Sequence, residues 1–183
     1  MKIKEMELEG RMHLVVPMVM IREGTWAGSH GPVYYPSNVL KSSVSLWNGK
    51  PIVVYHPDMY GAAAADNPLI FNKAKVGVVF NTRFAAGKLK ADAWLDKERL
   101  RKIDNRILTS LQSRTPVEVS TGVMMFADEK QTRNDGAMVA DALLPDHLAI
   151  LPDRPGACSV NDGAGLLMNA AIIEPLTMPS VFA

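Results

Sequence analysis

The segment VGVVFNTRFAAGKLKADAWL constrains the fold of this chain more than any other stretch. Apolar side chains recur there at every second position on both sides of a short Ala-Ala-Gly turn. Val76, Val78, Phe80, Thr82 and Phe84 fall on one face of the first arm, and Leu89, Ala91, Ala93 and Leu95 on one face of the second. A repeat of two residues matches the pleat of a β-strand, so the segment reads as a hairpin laid over a core. A chain with such a hairpin at its centre must find further strands to pair with.

Other strands follow from short β-branched, apolar runs. They are MHLVVPMVMI, in which Pro17 marks an edge or a bulge, PIVVY, PVEVSTGVMMF, AMVADALL and DHLAIL. Two stretches carry the helical repeat instead. In SNVLKSSVSLWNGKP, Ser37 reads as an N-cap, Leu40, Val44 and Trp47 share a face, and Gly49 and Pro51 end the helix. KERLRKIDNRILTSLQSR reads as one helix with a stripe of Leu100, Ile103, Ile107 and Leu111. MYGAAAADNP reads as a loop and DRPG as a stiff turn. The sum predicts a mainly β protein with peripheral helices (α+β), a closed or nearly closed barrel of about seven mostly antiparallel strands. Residues 1–160 form the barrel domain. From Asn161 to 183 the chain is rich in Gly, Ala, Pro and Met with no period, and reads as a flexible or docking tail.

Composition removes several function classes. The net charge is +1 with basic residues scattered, which gives no footprint for nucleic acid or an anionic membrane. Apolar runs break well before the ~20 residues of a membrane span. The single cysteine, Cys158, allows no intrachain disulfide and no thiolate metal site, which fits an intracellular protein. No signal-peptide block opens the chain.

The chemistry then rests on histidine and serine. Of the four histidines, His13 and His30 read as ordinary structural residues. His56 and His147 each lie beside an apolar strand and a turn, where a rigid scaffold presents reactive groups. Between them in the chain lies EVSTGV, whose Ser120 is followed by Gly122, a residue that leaves space for a substrate backbone to approach. YHPD also occurs in J-domain co-chaperones, but there it follows a basic helix and here it follows PIVVY. A metal site from His56, Asp58, Asp146 and His147 would suit zinc or iron, yet no H-x-x-x-H spacing supports it. No GxSxG elbow is present. Glu118 shares the strand face of Ser120 and is an alternative orienting group.

In combination, GKPIVVYHP, PVEVSTGV and DHLAILPDRPGA resemble the capsid-maturation (prohead) serine proteases of tailed phages and, more distantly, the herpesvirus assemblins. LWNGKPIVVYHP and VGVVFNTRFAAGKLKADAWLD also resemble uncharacterised phage proteins grouped with those proteases. The likeness runs from about Trp47 to Gly156. It implies Ser120 as the nucleophile, His56 as its general base, His147 as the group orienting His56, and Arg154 as an oxyanion residue. Pro155 stands where assemblins place a second arginine. The resemblance further implies a seven-stranded barrel wrapped by helices, and no cofactor or metal. Its substrates would be the scaffold and major capsid protein and the enzyme itself, inside the assembling prohead in the host cytoplasm. Assemblins act as dimers, so a homodimer is among the expected assemblies. The competing expectation is a non-catalytic, scaffold-like capsid-assembly protein on the same fold.

Overall fold

A computed structural model of the chain describes residues 3–29 and 31–168, apart from the side chains of 128–131. His30 and residues 169–183 lie outside the described residues. In chain order the elements are β1 (Lys4–Leu8), β2 (Arg11–Arg22), β3 (Gly24–Gly28), β4 (Gly31–Tyr35), α1 (Ser37–Ser42), α2 (Val44–Trp47) and β5 (Pro51–Val54). A 3₁₀ turn at Pro57–Tyr60 and α3 (Pro68–Lys73) lead into β6 (Lys75–Ala85) and β7 (Lys88–Asp96). Then come α4 (Lys97–Ile103), α5 (Asn105–Gln112), β8 (Glu118–Thr132), β9 (Met138–Leu151) and β10 (Gly165–Leu166). The class is α+β with the sheet dominant.

The central hairpin forms as its sequence dictates. Ala86 and Gly87 both take left-handed backbone angles (φ +51° and +68°), the twist a two-residue hairpin turn requires. Leu89, Ala91, Ala93 and Leu95 of β7 are all fully buried. In β6 the single predicted face does not survive. Val76 and Val79 are both fully buried although three residues apart, and Val78 and Phe80 are only partly covered. The pairing of β6 shifts against β5 near Ile52/Val53 and against β7 between Phe80 and Arg83, where Asn81 has φ +53°. Each irregularity moves side chains to the other face. Phe80 instead meets Trp94 edge-on at 5.8 Å.

The predicted long helix is two. Asp104 (φ −155°, ψ 98°) interrupts it and caps α5 by accepting the Arg106 N–H, just as Asp96 caps α4 through Glu98 and Arg99. The stripe still reaches the core: Leu100, Ile107 and Leu111 are buried. Each is worth about 1.5–3 kcal/mol relative to exposure. Ser37 is the first helical residue and not the cap. Pro36 holds the cap position, and the Ser37 hydroxyl donates to Glu23. Pro17 lies where β2 changes neighbours, after its rungs to β1 end at Val15 and before those to β10 start at Met18. No ladder is lost there through its missing N–H. The loop expected around residues 59–68 contains parts of the 3₁₀ turn and of α3, and AMVADALL and DHLAIL are one strand, β9.

The sheet runs β1-β2-β7-β6-β5-β9-β4-β3, with β10 attached to β2 and β8 to β9. Pairing is antiparallel except where β9 meets β4 and β5. The ring expected of a barrel is not closed by a strand ladder. Among the described residues, between β2 and β8 there is only β10 and one bridge, Val117 to Leu166. Beyond that bridge the two strands separate, and Met20 and Ile21 line one side of a cleft whose other side includes Val119 to Met125 of β8. The main core lies on one face of the sheet and includes Leu40, Trp47, Ile52, Leu95, Leu148 and Ile150. A second, smaller cluster of Val53, Ala62, Ala65, Ile70, Ala74, Ala149 and Leu151 lies on the opposite face, beneath the segment from the 3₁₀ turn to α3.

Candidate functional site

Strand alternation decides which residues of β8 and β9 face this outer layer. Val119, Leu148 and Ile150 point into the main core, so Ser120, Gly122, His147 and Ala149 point the other way. The register pairs Ser120 with Ala149 and Gly122 with His147. Ser120 therefore stands one strand repeat, about 7 Å, from the glycine that faces the imidazole.

His56 reaches the same place by a different device. β5 ends on the rung from the Tyr55 N–H to the Ile150 carbonyl. Tyr55 then adopts φ +61°, a conformation uncommon for a bulky residue. Its side chain is pinned: the hydroxyl donates to Asp153 at 2.6 Å and accepts from Arg106 at 2.9 Å. The turn in the backbone swings the chain out of the sheet, and His56 precedes the 3₁₀ turn, with Pro57 at its first position.

The two histidines meet. His56 Nδ1 and His147 Nε2 are 2.7 Å apart, with the rings edge to face and centroids 5.0 Å apart. The other nitrogen of His147, Nδ1, lies 2.6 Å from Asp146 Oδ2. That carboxylate oxygen also accepts the Ala65 N–H at 2.8 Å. Burial is the main force holding both imidazoles below their ordinary pKa. For His56 the charge of His147 adds to it, while Asp58 opposes. For His147 the hydrogen bond and charge of Asp146 oppose it. The pair is thus biased toward its neutral form, the form that can accept a proton.

Gly122 has a different role from the one its sequence suggests. A methyl group built on it would sit 2.0 Å from His147 Cε1. The space beside the glycine is filled by the imidazole and not by substrate. His56, Ser120, Gly122, Asp146 and His147 all line the one cleft, about 700 Å³ and open to solvent. Its apolar walls come from Met20, Ile21, Trp26, Val33 and Met138. Cys158 lines it too, but burial pushes that thiol up in pKa and keeps it protonated, a poor nucleophile.

Two predicted residues sit elsewhere. The Arg154 guanidinium rests over the Tyr55 ring at 5.1 Å and contacts Met59 and Asp153, outside the lining of the cleft. Glu118 does not face a histidine. It accepts the N–H groups of Gly156 and Val160, tying the segment after the DRPG turn to β8. That segment brings Ala157 and Cys158 to the cleft wall. His13 is buried, with Nδ1 against the Arg11 carbonyl, and takes no part. Among the described residues no group of three or more His, Cys, Asp or Glu is placed to hold a metal ion. No helix among them is long and apolar enough to cross a membrane. Sequence reasoning missed Asp146 as a partner of His147; the only local signal was Pro145, a residue that favours irregular strands.

No protein family is matched by the sequence, and no curated protein matches it. Among solved structures, the chain has the fold of the bacteriophage T4 capsid assembly protease, gp21. The TM-score is 0.52 at 10% sequence identity, over 82% of this chain and 88% of that one.

Proposed function

We propose that this chain is a serine endopeptidase of phage capsid maturation, acting on scaffold and capsid-protein extensions and on itself. The carrying observation is the 2.7 Å hydrogen bond between His56 and His147 in the cleft that also holds Ser120. Two imidazoles bonded to one another beside a serine on a strand are the parts acyl transfer needs. A serine hydroxyl is a weak nucleophile unless a base takes its proton. With Nδ1 of His56 turned to His147, Nε2 is the nitrogen left to take the proton of Ser120. His56 removes the proton as Ser120 attacks the scissile carbonyl and then returns it to the leaving amine. His147 holds His56 in that orientation.

The oxyanion formed in this step needs donors fixed in advance, each worth about 3 kcal/mol. Pro155 has no N–H and the Gly156 N–H is given to Glu118, so the donor that this segment offers to the cleft is the Ala157 N–H. Arg154, its side chain held over Tyr55 outside the cleft lining, acts only indirectly, by fixing the turn. The T4 capsid assembly protease shares this fold, which favours capsid and scaffold proteins as substrates and the assembling prohead in the host cell as the place of action.

The test is co-expression of the full chain with its scaffold and capsid proteins, read by intact mass. Wild type shortens them and itself, and Ser120→Ala leaves every chain at full length. Equal processing by Ser120→Ala removes Ser120 from the mechanism. Full-length products with both proteins favour a non-catalytic assembly role.

A further inference from the structure

Asp146 and His147 are neighbours in one strand, and regular pleating would point them to opposite faces. They nevertheless meet at 2.6 Å. The register explains how. Gly122 pairs with His147 and Val123 with Pro145, so β9 has one residue more than β8 at this point, and that residue is Asp146. A bulge re-aims a side chain that a flat ladder would turn away. Here it turns a carboxylate onto the back of the imidazole that contacts His56. The Ala65 N–H fixes the same oxygen from the 61–67 segment.

Proton accounting gives this contact its consequence. A carboxylate only accepts, so His147 Nδ1 must carry the proton of that bond. His147 Nε2 is then bare and must accept from His56 Nδ1–H. His56 Nε2 is bare in turn, and this is the one state in which it can take a proton from a serine. Reversing the first bond reverses all of them: His147 Nε2–H would donate to His56 Nδ1 and leave a proton on His56 Nε2. We propose that Asp146 is a positioning residue that sets the tautomers of both histidines and supplies the negative charge that His147 lacks, making the site a four-membered Ser120–His56–His147–Asp146 chain. This rests on the reading of Ser120 as nucleophile.

Asp146→Leu is the discriminating variant. It has about the same size and no acceptor, so it favours neither order of the His56–His147 bond. Asp146→Asn separates tautomer from charge: Oδ2 takes both the Ala65 N–H and the His147 Nδ1–H, so the amide satisfies both only with its oxygen there, which keeps the tautomers and drops the negative charge. A wrong tautomer in a Ser-His-Asp enzyme lowers kcat by ~10⁴. With one ring interposed, we expect a loss on the order of 10²–10³ in kcat with KM little changed in Asp146→Leu, a smaller loss in Asp146→Asn, and partial recovery in Asp146→Glu. A second readout needs no turnover. In Ser120→Ala protein labelled with ¹⁵N-histidine, long-range ¹H–¹⁵N spectra should show His147 protonated on Nδ1 and His56 on Nδ1. Adding Asp146→Leu should populate the reversed order, with protons on both Nε2 atoms. Unchanged tautomers, or a folded Asp146→Leu enzyme with wild-type kcat, overturn the proposal. If the tautomers switch while Ser120→Ala still processes substrate, the four-membered chain loses its serine but keeps its tautomer control, and the fault lies with the nucleophile.

Discussion

A single methyl group added at Gly122 separates the catalytic reading from a structural one. Its carbon would lie 2.0 Å from Cε1, 2.3 Å from Nε2 and 2.4 Å from Nδ1 of His147. Non-bonded carbons rest at about 3.5–4.0 Å, so the ring must retreat by roughly 1.5 Å or swing away. Both of its hydrogen bonds, 2.7 Å to His56 and 2.6 Å to Asp146, are then broken or stretched beyond use. Two partly buried bonds of this kind are worth on the order of 1 kcal/mol each. Replacing glycine by alanine returns ~0.4–1 kcal/mol by restricting the unfolded chain. The net destabilisation, about 1–2 kcal/mol, is small against a domain stability of ~5–15 kcal/mol. The effect on chemistry is larger, because misplacing a catalytic group by ~1 Å costs on the order of 100-fold. Gly122→Ala should therefore fold, melt a few degrees lower, and process scaffold at about one hundredth of the wild-type rate. The assay is cleavage of purified scaffold followed by intact mass, with thermal unfolding of the same samples. Wild-type cleavage by a folded Gly122→Ala protein would refute the role assigned to His147.

Two further outcomes follow from the same geometry. The native His56 and His147 are both held below the ordinary histidine value, 6.5, chiefly by burial. kcat/KM should therefore persist below that value and fall only as pH drops through the lowered titration of the coupled pair, seen as an acid limb in a profile from pH 4 to 8. Stability carries the same sign. Between the unfolded and native values the unfolded chain binds more protons, so the contribution of these groups is complete above about 6.5 and is lost as pH falls through the native values; a melting temperature flat across that window would contradict it. Cys158→Ala should process substrate at the wild-type rate, and thiol alkylation should leave the native enzyme active, since the thiol is buried and protonated. Loss of activity on alkylation would put Cys158 in the mechanism.

The face of β7 could be read from the sequence because its period stays unbroken from Leu89 to Leu95. That of β6 could not, since irregularities on both sides of it shift its side chains between faces without any residue that announces them. The break between α4 and α5 was legible in principle: Asp104 precedes Asn105-Arg106 as Asp96 precedes Lys97-Glu98, but the stripe runs through it and hides the cap. β3 and β4 escaped notice because six of the twelve residues in GTWAGSHGPVYY are glycine or polar and break the alternation. The resemblance implied a shared site for His56, Ser120 and His147, and all three line one cleft. Arg154 was matched by its position in the chain alone, and its side chain instead follows the pull of Tyr55 and Asp153.

The failure of the sheet to close and the position of the site are parts of one arrangement. A strand inside a closed barrel has both edges hydrogen-bonded, so its backbone cannot receive a peptide. β8 is paired with β9 along one edge, and among the described residues its other edge has only the Val117 bridge. Past that bridge come Ser120, Thr121 and Gly122, at the cleft that opens as β2 and β8 separate. Closing the gap with a longer β10 would add rungs and stability, and would seal the edge beside the serine. The short β10 thus leaves Ser120, the proposed nucleophile, on a well-packed strand whose other flank carries no further rung among the described residues. The paired flank carries the bulge that aims Asp146 at His147. In the proposed mechanism one side of β8 sets the proton order of the site and the other gives a substrate its approach, and neither role could move to the other edge without losing the register that holds them together.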